Sequence, residues 1–255
     1  MLEMPATERF SRRVESYRRF RPHYPAAIVD VLHQGCGLDA TWPVTDVAAG
    51  TGLLAEVFLE NGNAVTAVEP NSPMRTVCAS LSARYPRLRC VDGTAEATGL
   101  AAQSVALVTV GQALRWFDRP RARAEFARIL RPGGWCLIAY NNRSQSGSPF
   151  HCAYEQILQR YGTDYAAVAS RYLDEAQLRA FFAPGALACT TLVNVQTMDL
   201  EALIGRIVSS SYMPQAGHPR YTAMIADVER MFADHATDGR VCMEYECVLS
   251  FGQLG

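Results

Sequence analysis

Val44-Thr45-Asp46-Val47-Ala48-Ala49-Gly50-Thr51-Gly52-Leu53-Leu54-Ala55 is the stretch whose reading decides the fold. It reads as a short buried strand, a turn paced by two glycines, and the start of a helix. Gly50 and Gly52 lack a Cβ, so the backbone turns sharply there and a ligand can lie against it. Beyond Gly52, Ala64-Val65-Thr66-Ala67-Val68-Glu69 is a second apolar strand, ending in a carboxylate. A close-approach turn after one parallel strand and an acid at the tip of the next describe a nucleoside site. The nucleoside stays open. Gly50-x-Gly52-x-x-Ala55 also satisfies the loose dinucleotide fingerprint, with Glu69 near its acid position, and a purely structural strand–turn–helix is a third reading.

Towards the N-terminus, residues 8–20 carry Phe10, Val14 and Tyr17 on one face of a short helix. Pro22 and Pro25 break it. Five arginines between Arg12 and Arg21 read as a solvated face ahead of a polyanion contact. The mixed aromatic and arginine segment is placed to fold over the site as a lid. Residues 26–32 look helical and lead into the loop Gly35-Cys36-Gly37. Towards the C-terminus, Ser72 as N-cap and Pro73 at the first helical position open the helix after Glu69. Asp92 stands as a loop cap or a ligand contact.

Leu88–Val91 is a third strand, and residues 105–110 are a fourth, apolar throughout as in a strand covered on both faces. A helix over residues 120–130 is stopped by Arg131-Pro132-Gly133-Gly134, and residues 135–140 are a fifth strand. This repeated β-α order implies a parallel, doubly wound sheet with right-handed crossovers. Residues 241–251 instead alternate strictly, an antiparallel edge strand with one apolar face, whose partner is residues 187–195. Two amphipathic helices lie between them, with apolar stripes that suit core or cap packing.

The chain has 255 residues, 49% hydrophobic and 19% charged, which suits one large α/β domain over residues 1–255. Its net charge of −1 speaks against a nucleic-acid binder. The eight cysteines form no Cys-x-x-Cys pair and the histidines do not cluster, so neither a metal site nor a disulfide framework is expected. No leader or membrane-length apolar run is visible, and a cytoplasmic location is the default.

Five segments fall in order along this frame: Tyr17-Arg18-Arg19-Phe20-Arg21-Pro22-His23-Tyr24-Pro25, Asp46-Val47-Ala48-Ala49-Gly50-Thr51-Gly52, Glu69-Pro70-Asn71-Ser72-Pro73-Met74, Gly93-Thr94-Ala95-Glu96 and Gly111-Gln112-Ala113-Leu114-Arg115-Trp116-Phe117-Asp118. Together they resemble the class I S-adenosylmethionine-dependent methyltransferases, in particular the small-molecule branch labelled type 11. The likeness runs over nearly the whole chain and decides against the dinucleotide reading. It implies a Rossmann-like, doubly wound, seven-stranded sheet, mostly parallel with an antiparallel last strand, helices on both faces, and a helical cap inserted near the C-terminus. Residues 1–25 then form a lid, 26–140 the cofactor-binding core, 141–240 a partly helical substrate side, and 241–255 the final strand.

The resemblance implies S-adenosyl-L-methionine as cofactor, held by Tyr17, Arg21, Asp46, Ala48, Gly50, Gly52, Glu69, Pro70, Met74, Thr94, Ala95, Glu96, Gln112 and Trp116. Ala48 stands where the family usually has Gly, and a slightly tighter turn without lost function is expected. Tyr24, Arg115, Tyr140, Asn141 and Tyr212 are placed to line the acceptor pocket. Arg115 replaces the family's more frequent His and cannot surrender its proton. It either orients an anionic acceptor or lies outward on the helix start. His23, His151 and His218 are candidate bases, and no catalytic residue is assigned. The expected reaction is methyl transfer to a small molecule by in-line displacement, catalysed mainly by positioning, in a monomer or homodimer without nucleic-acid or membrane partners. A catalytically silent cofactor-binding partner protein is the alternative, and a macromolecular methyltransferase the less favoured one.

Overall fold

The computed structural model describes residues 13–144, 147–169 and 174–255. Its strands are β1 (Val44–Val47), β2 (Val65–Val68), β3 (Leu88–Val91), β4 (Val105–Gly111), β5 (Leu130–Arg143), β6 (Leu187–Met198) and β7 (Val241–Gly252). They make one seven-stranded sheet in the order β3-β2-β1-β4-β5-β7-β6. The first five pair in parallel, and β7 runs antiparallel to both β5 and β6. β1 and β4 lie side by side at the centre, buried along β1 and along β4 as far as Val110. Their continuous apolar sequence reflects cover on both faces. The chain winds outward from β1 to β3, then returns to β4 on the other side of β1. At that switch point the strand tips diverge and a crevice opens.

β7 shows the expected alternation, with Val241, Met243, Tyr245, Cys247 and Leu249 buried while Cys242, Glu244 and Glu246 are exposed. It is not the edge strand. β6 pairs along its whole length and lies outside it. The alternation reports one uncovered sheet face, which an inner strand of an antiparallel pair shows as readily as an edge.

The helices are α1 (Val14–Phe20), α2 (Ile28–Cys36), α3 (Ala55–Glu60), α4 (Ser72–Ser80), α5 (Arg119–Ile129), α6 (Pro149–Tyr161), α7 (Tyr165–Ala169), α8 (Glu175–Phe182), α9 (Leu200–Val208) and α10 (Tyr221–His235). One core joins Ile28, Leu32 and Phe58 to Leu107, Leu137 and Leu249 on one sheet face. A second joins Phe126, Phe181 and Phe182 to Val108, Val110 and Ile138 on the other. A third packs α6, α9 and α10 on the starting end of β7 through Tyr154, Leu203, Val228, Met243 and Tyr245. The cap therefore draws α6 from the β5–β6 connection as well as the two helices read from the sequence.

Helix ends differ from the sequence expectations in small ways. α4 is capped by Asn71, whose Oδ1 accepts from Met74 N at 3.0 Å, and Ser72 is already its first residue. α2 runs on to Cys36, where Gly37 in the left-handed region (φ +76°) ends it. The Phe10 and Arg12 end of the expected first helix lies outside the described residues.

The arginine-rich segment is not a solvated face. Arg13 donates to the carbonyls of Val208 at 3.3 Å, Met213 at 3.0 Å and Ser210. Arg21 donates to Ser209 O at 2.9 Å. The end of α9 leaves carbonyls without intrahelical partners, and these guanidinium groups take them up. Gly205 makes the approach possible, since a Cβ there would overlap the Phe20 ring. Among the described arginines of this group only Arg19 is exposed, at 61%, in a 2.8 Å surface pair with Glu201.

Candidate functional site

A cavity of about 570 Å³ opens at the tips of β1 and β4. Its floor is formed by Ala48, Ala49 and Gly50 of the turn after β1, with Leu53 and Leu54. Ala48 (φ +54°), Gly50 (φ +58°) and Gly52 (φ +88°) are all left-handed there. A side chain at Ala48 accepts that geometry only at a cost. The two glycines do different work. Gly50 faces the cavity, and nothing but Met74 Sδ, at 3.6 Å, stands near its missing Cβ. Gly52 is off the cavity wall: a Cβ there would lie 2.8 Å from Leu81 Cδ1 and 3.0 Å from Cys78 Sγ. Its smallness serves packing of the turn on α4 and the residues that follow.

Glu69 directly follows β2 and is 6% exposed. Its Oε2 accepts from Gly50 N and its Oε1 from Asn71 N, both at 2.8 Å. The carboxylate thus ties the turn after β1 to the cap of α4, and its second lone pairs stay available at the cavity wall. Burial pushes its pKa up, while the two amides pull against that. Asp46, in β1 and 1% exposed, accepts from Thr109 Oγ1 at 2.9 Å through Oδ1. Its Oδ2 is buried without a hydrogen-bond partner. Burial, partly countered by Thr109, raises its carboxyl to about 7. An orphaned carboxylate oxygen at a cavity wall is a binding position for a cationic or hydrogen-donating ligand.

Pro70, Met74, Thr94, Ala95 and Glu96 continue this wall, with Glu96 Oε1 accepting from Asp118 N at 3.0 Å. Asp92 is elsewhere, in an exposed 3.1 Å pair with Arg75. Opposite, Gln112 (φ +60°) follows β4 and donates from Nε2 to Asn141 O at 3.1 Å. Trp116 and Asn141 complete this side. Arg115 lines the cavity, with its guanidinium carbon 5.7 Å from the Trp116 ring and 5.9 Å from the Tyr140 ring. The outward alternative for Arg115 does not hold. Tyr140 itself lies behind the wall, buried at 6% exposure.

The segment from α1 supplies Tyr17, Arg21, Pro22 and Tyr24. The Tyr24 hydroxyl sits 2.6 Å from where a Cβ on Gly111 would stand, so that glycine makes room for it. Burial holds the Tyr24 phenol well above its ordinary pKa, unsuited to act as a base. None of the three histidines lines the cavity. His151 is 2% exposed, with Nδ1 on Ser148 Oγ at 2.7 Å and Nε2 accepting from Glu244 N at 3.1 Å. His218 Nδ1 accepts from Arg220 N at 3.1 Å, and His23 is exposed.

Every residue expected from the sequence to hold the cofactor or line the acceptor pocket, except Gly52 and Tyr140, thus lines one cavity, and the three candidate histidines stay outside it. Sequence reasoning missed Arg143, Tyr165 and Arg206, which also line it. Arg206 left a signal, a lone charge inside the apolar run Leu203-Ile204-Gly205-Arg206-Ile207-Val208. The lining carboxylates Asp46, Glu69 and Glu96 belong to the β1–β3 side. The lining arginines come from the β4–β5 side, from the residue that caps α1 (Arg21) and from α9.

Residues 45–138 match the family model described as a methyltransferase domain. An uncharacterised methyltransferase of Mycobacterium bovis is 40% identical over 136 residues, 53% of this chain and 53% of its own length. A demethylmenaquinone methyltransferase of Renibacterium salmoninarum is 34% identical over 118 residues, 46% of this chain and 48% of its own. The chain spans about half the length of the curated relatives it matches. A structure assigned as a type II methyltransferase from Anaeromyxobacter dehalogenans superposes with a TM-score of 0.70 at 22% identity, covering 92% of this chain and 98% of that one. At that identity the likeness establishes the fold.

Proposed function

We propose that this chain, whose residues 45–138 match a methyltransferase domain, is a class I S-adenosylmethionine-dependent enzyme that transfers a methyl group from S-adenosylmethionine to a small-molecule acceptor. The observation that carries this reading is Glu69, fixed by the Gly50 and Asn71 amides at the mouth of the β1 turn. An acid in that position suits a ribose diol.

The other residues fit the same group. Asp46 Oδ2, lacking a partner, suits the ammonium of the methionine part. The bare face of Gly50 admits close approach, and Met74, Thr94 and Ala95 line the part of the wall assigned to adenine. Tyr17 and Arg21 close over the amino-acid end. The bound sulfonium compound supplies a methyl group already activated by its positive charge. The chain's work is to hold donor and acceptor in line and to keep water out. Tyr24 and Trp116 contribute aromatic faces beside the reacting centre, where they steady positive charge. With no histidine on the described wall, this assignment gives catalysis to positioning.

The test is calorimetric titration of the chain with S-adenosylmethionine and, separately, with NAD. Saturable binding of the first and none of the second is expected; the converse would overturn the reading. Transfer of a labelled methyl group to a small-molecule extract then separates an enzyme from a silent binder. Demethylmenaquinone, named in one relative, belongs in the first acceptor panel.

A further inference from the structure

Resting on the methyl-transfer reading, we propose that the acceptor is an oxyanion, a carboxylate or a phosphate, seated on the guanidinium of Arg206. Arg206 projects from α9 into the cavity wall and is 7% exposed. Its hydrogen bonds go to neutral hydroxyls: Nε donates to Tyr245 Oη at 3.2 Å and Nη1 to Ser210 Oγ at 3.3 Å. The same Ser210 hydroxyl accepts from Arg21 Nη2 at 3.4 Å. Two guanidinium groups therefore share one serine. Arg21 Nε is enclosed without a hydrogen-bond partner. Burial, and after it the charge of Arg206, hold Arg21 below its ordinary pKa.

Other enclosed arginines of this protein are treated differently. Arg18 is paired with Glu56 at 2.6 Å and Arg143 with Glu155 at 2.5 Å. No described carboxylate pairs with Arg21 or Arg206. Enclosing two like charges without a counter-ion costs several kcal/mol in general, which an entering anion relieves. The wall carboxylates are engaged elsewhere: Asp46 accepts from Thr109 Oγ1, Glu69 from the Gly50 and Asn71 amides, and Glu96 from Asp118 N. The amino-acid carboxylate of the cofactor can satisfy one guanidinium, and the lid position of Arg21 suits it. The second positive charge, on Arg206, is left for the acceptor. A neutral acceptor would leave it buried and uncompensated.

The test uses the full chain saturated with S-adenosylhomocysteine and titrated calorimetrically with benzoate, phenyl phosphate and neutral benzamide. At least one anion is expected to bind tenfold or more tightly than benzamide, and the preferred anion distinguishes a carboxylate site from a phosphate site. Arg206→Gln should weaken that anion at least tenfold while S-adenosylhomocysteine affinity changes less than about threefold. Arg206→Lys, which keeps the charge if the Gln variant folds poorly, should retain most of the affinity. Equal binding of benzamide, no binding of either anion, or an Arg206→Gln variant that binds the anion unchanged would each overturn the proposal. The titrations are repeated on the cofactor-free chain. A failure to bind the nucleoside counts against the methyl-transfer reading, whereas indifference of the anion to Arg206 counts against this inference.

Discussion

Arg18 on α1 forks onto Glu56 on α3, with Nη1 2.6 Å from Oε2 and Nη2 2.7 Å from Oε1. The pair fastens the segment that walls the cavity to the helix that begins just past the glycine turn. Side-chain exposures of 25% and 12% place it away from bulk water. A two-pronged, half-buried pair is stronger than a surface one. In a double-mutant cycle of Arg18→Ala and Glu56→Ala, a coupling of about 1–2 kcal/mol is expected from denaturant unfolding. A coupling indistinguishable from zero would show that the clamp does not hold in solution.

Ala48→Gly should stabilise the protein. Ala48 sits at φ +54°, where a Cβ costs roughly 1–2 kcal/mol, and glycine's greater freedom in the unfolded chain takes back about 0.4–1. The remainder, about 0.5–1 kcal/mol, corresponds to a Tm rise of roughly 2 °C. Gly52→Ala should do the reverse, since its Cβ meets Leu81 Cδ1 at 2.8 Å and Cys78 Sγ at 3.0 Å. A loss of about 1–3 kcal/mol is expected there. Calorimetric melting of the two variants checks both signs.

Glu69→Gln keeps the shape but replaces one acceptor oxygen by an NH2 group. That group then opposes either the Gly50 or the Asn71 amide, which now approach oxygens at 2.8 Å. Leaving a buried donor unsatisfied costs about 1–3 kcal/mol, and the charge-assisted contact to a diol is lost as well. S-adenosylmethionine affinity should fall roughly 10- to 100-fold by titration. An affinity within twofold of the original would remove Glu69 from the site.

Asp46 makes both stability and binding depend on pH. Its carboxyl is raised to about 7, first by burial, against an unfolded value near 3.9. The folded chain then holds a proton that the unfolded chain has lost. Stability of the ligand-free protein therefore falls as pH rises from about 4 to about 7. The penalty is absent below that window and full above it. Asp46→Asn should flatten this decline in urea unfolding followed across pH. A ligand ammonium needs the ionised form, so affinity for S-adenosylmethionine should rise about tenfold from pH 6 to pH 8. The Asn variant should bind weakly at both.

Much of the framework is legible in the sequence because it is written in local spacing. β3 falls at Leu88–Val91 as expected, and β2 falls within the apolar run that ends at Glu69. Strand tips place Asp46, Glu69 and Gln112 together once the β-α order is read, because a doubly wound sheet brings those tips to one edge. Asn71 as the α4 cap was within reach too, one residue from the expected Ser72.

The sequence alone determined the α/β alternation, the acid at the end of β2 and the glycine turn, all set by residues near one another along the chain. Tertiary structure decided that β7 is covered by β6, that Gly52 serves packing while Gly50 faces the ligand, and that Arg115 turns inward. It also decided that Arg21 meets the end of α9, at Ser209 O. Arg206 belongs to the same class. A lone charge in an apolar helix is compatible with either solvent or core, and only the packing of α9 over the cavity, with Phe20 against Gly205, sets its direction. Distant segments meet through burial and shape, which no short-range periodicity encodes.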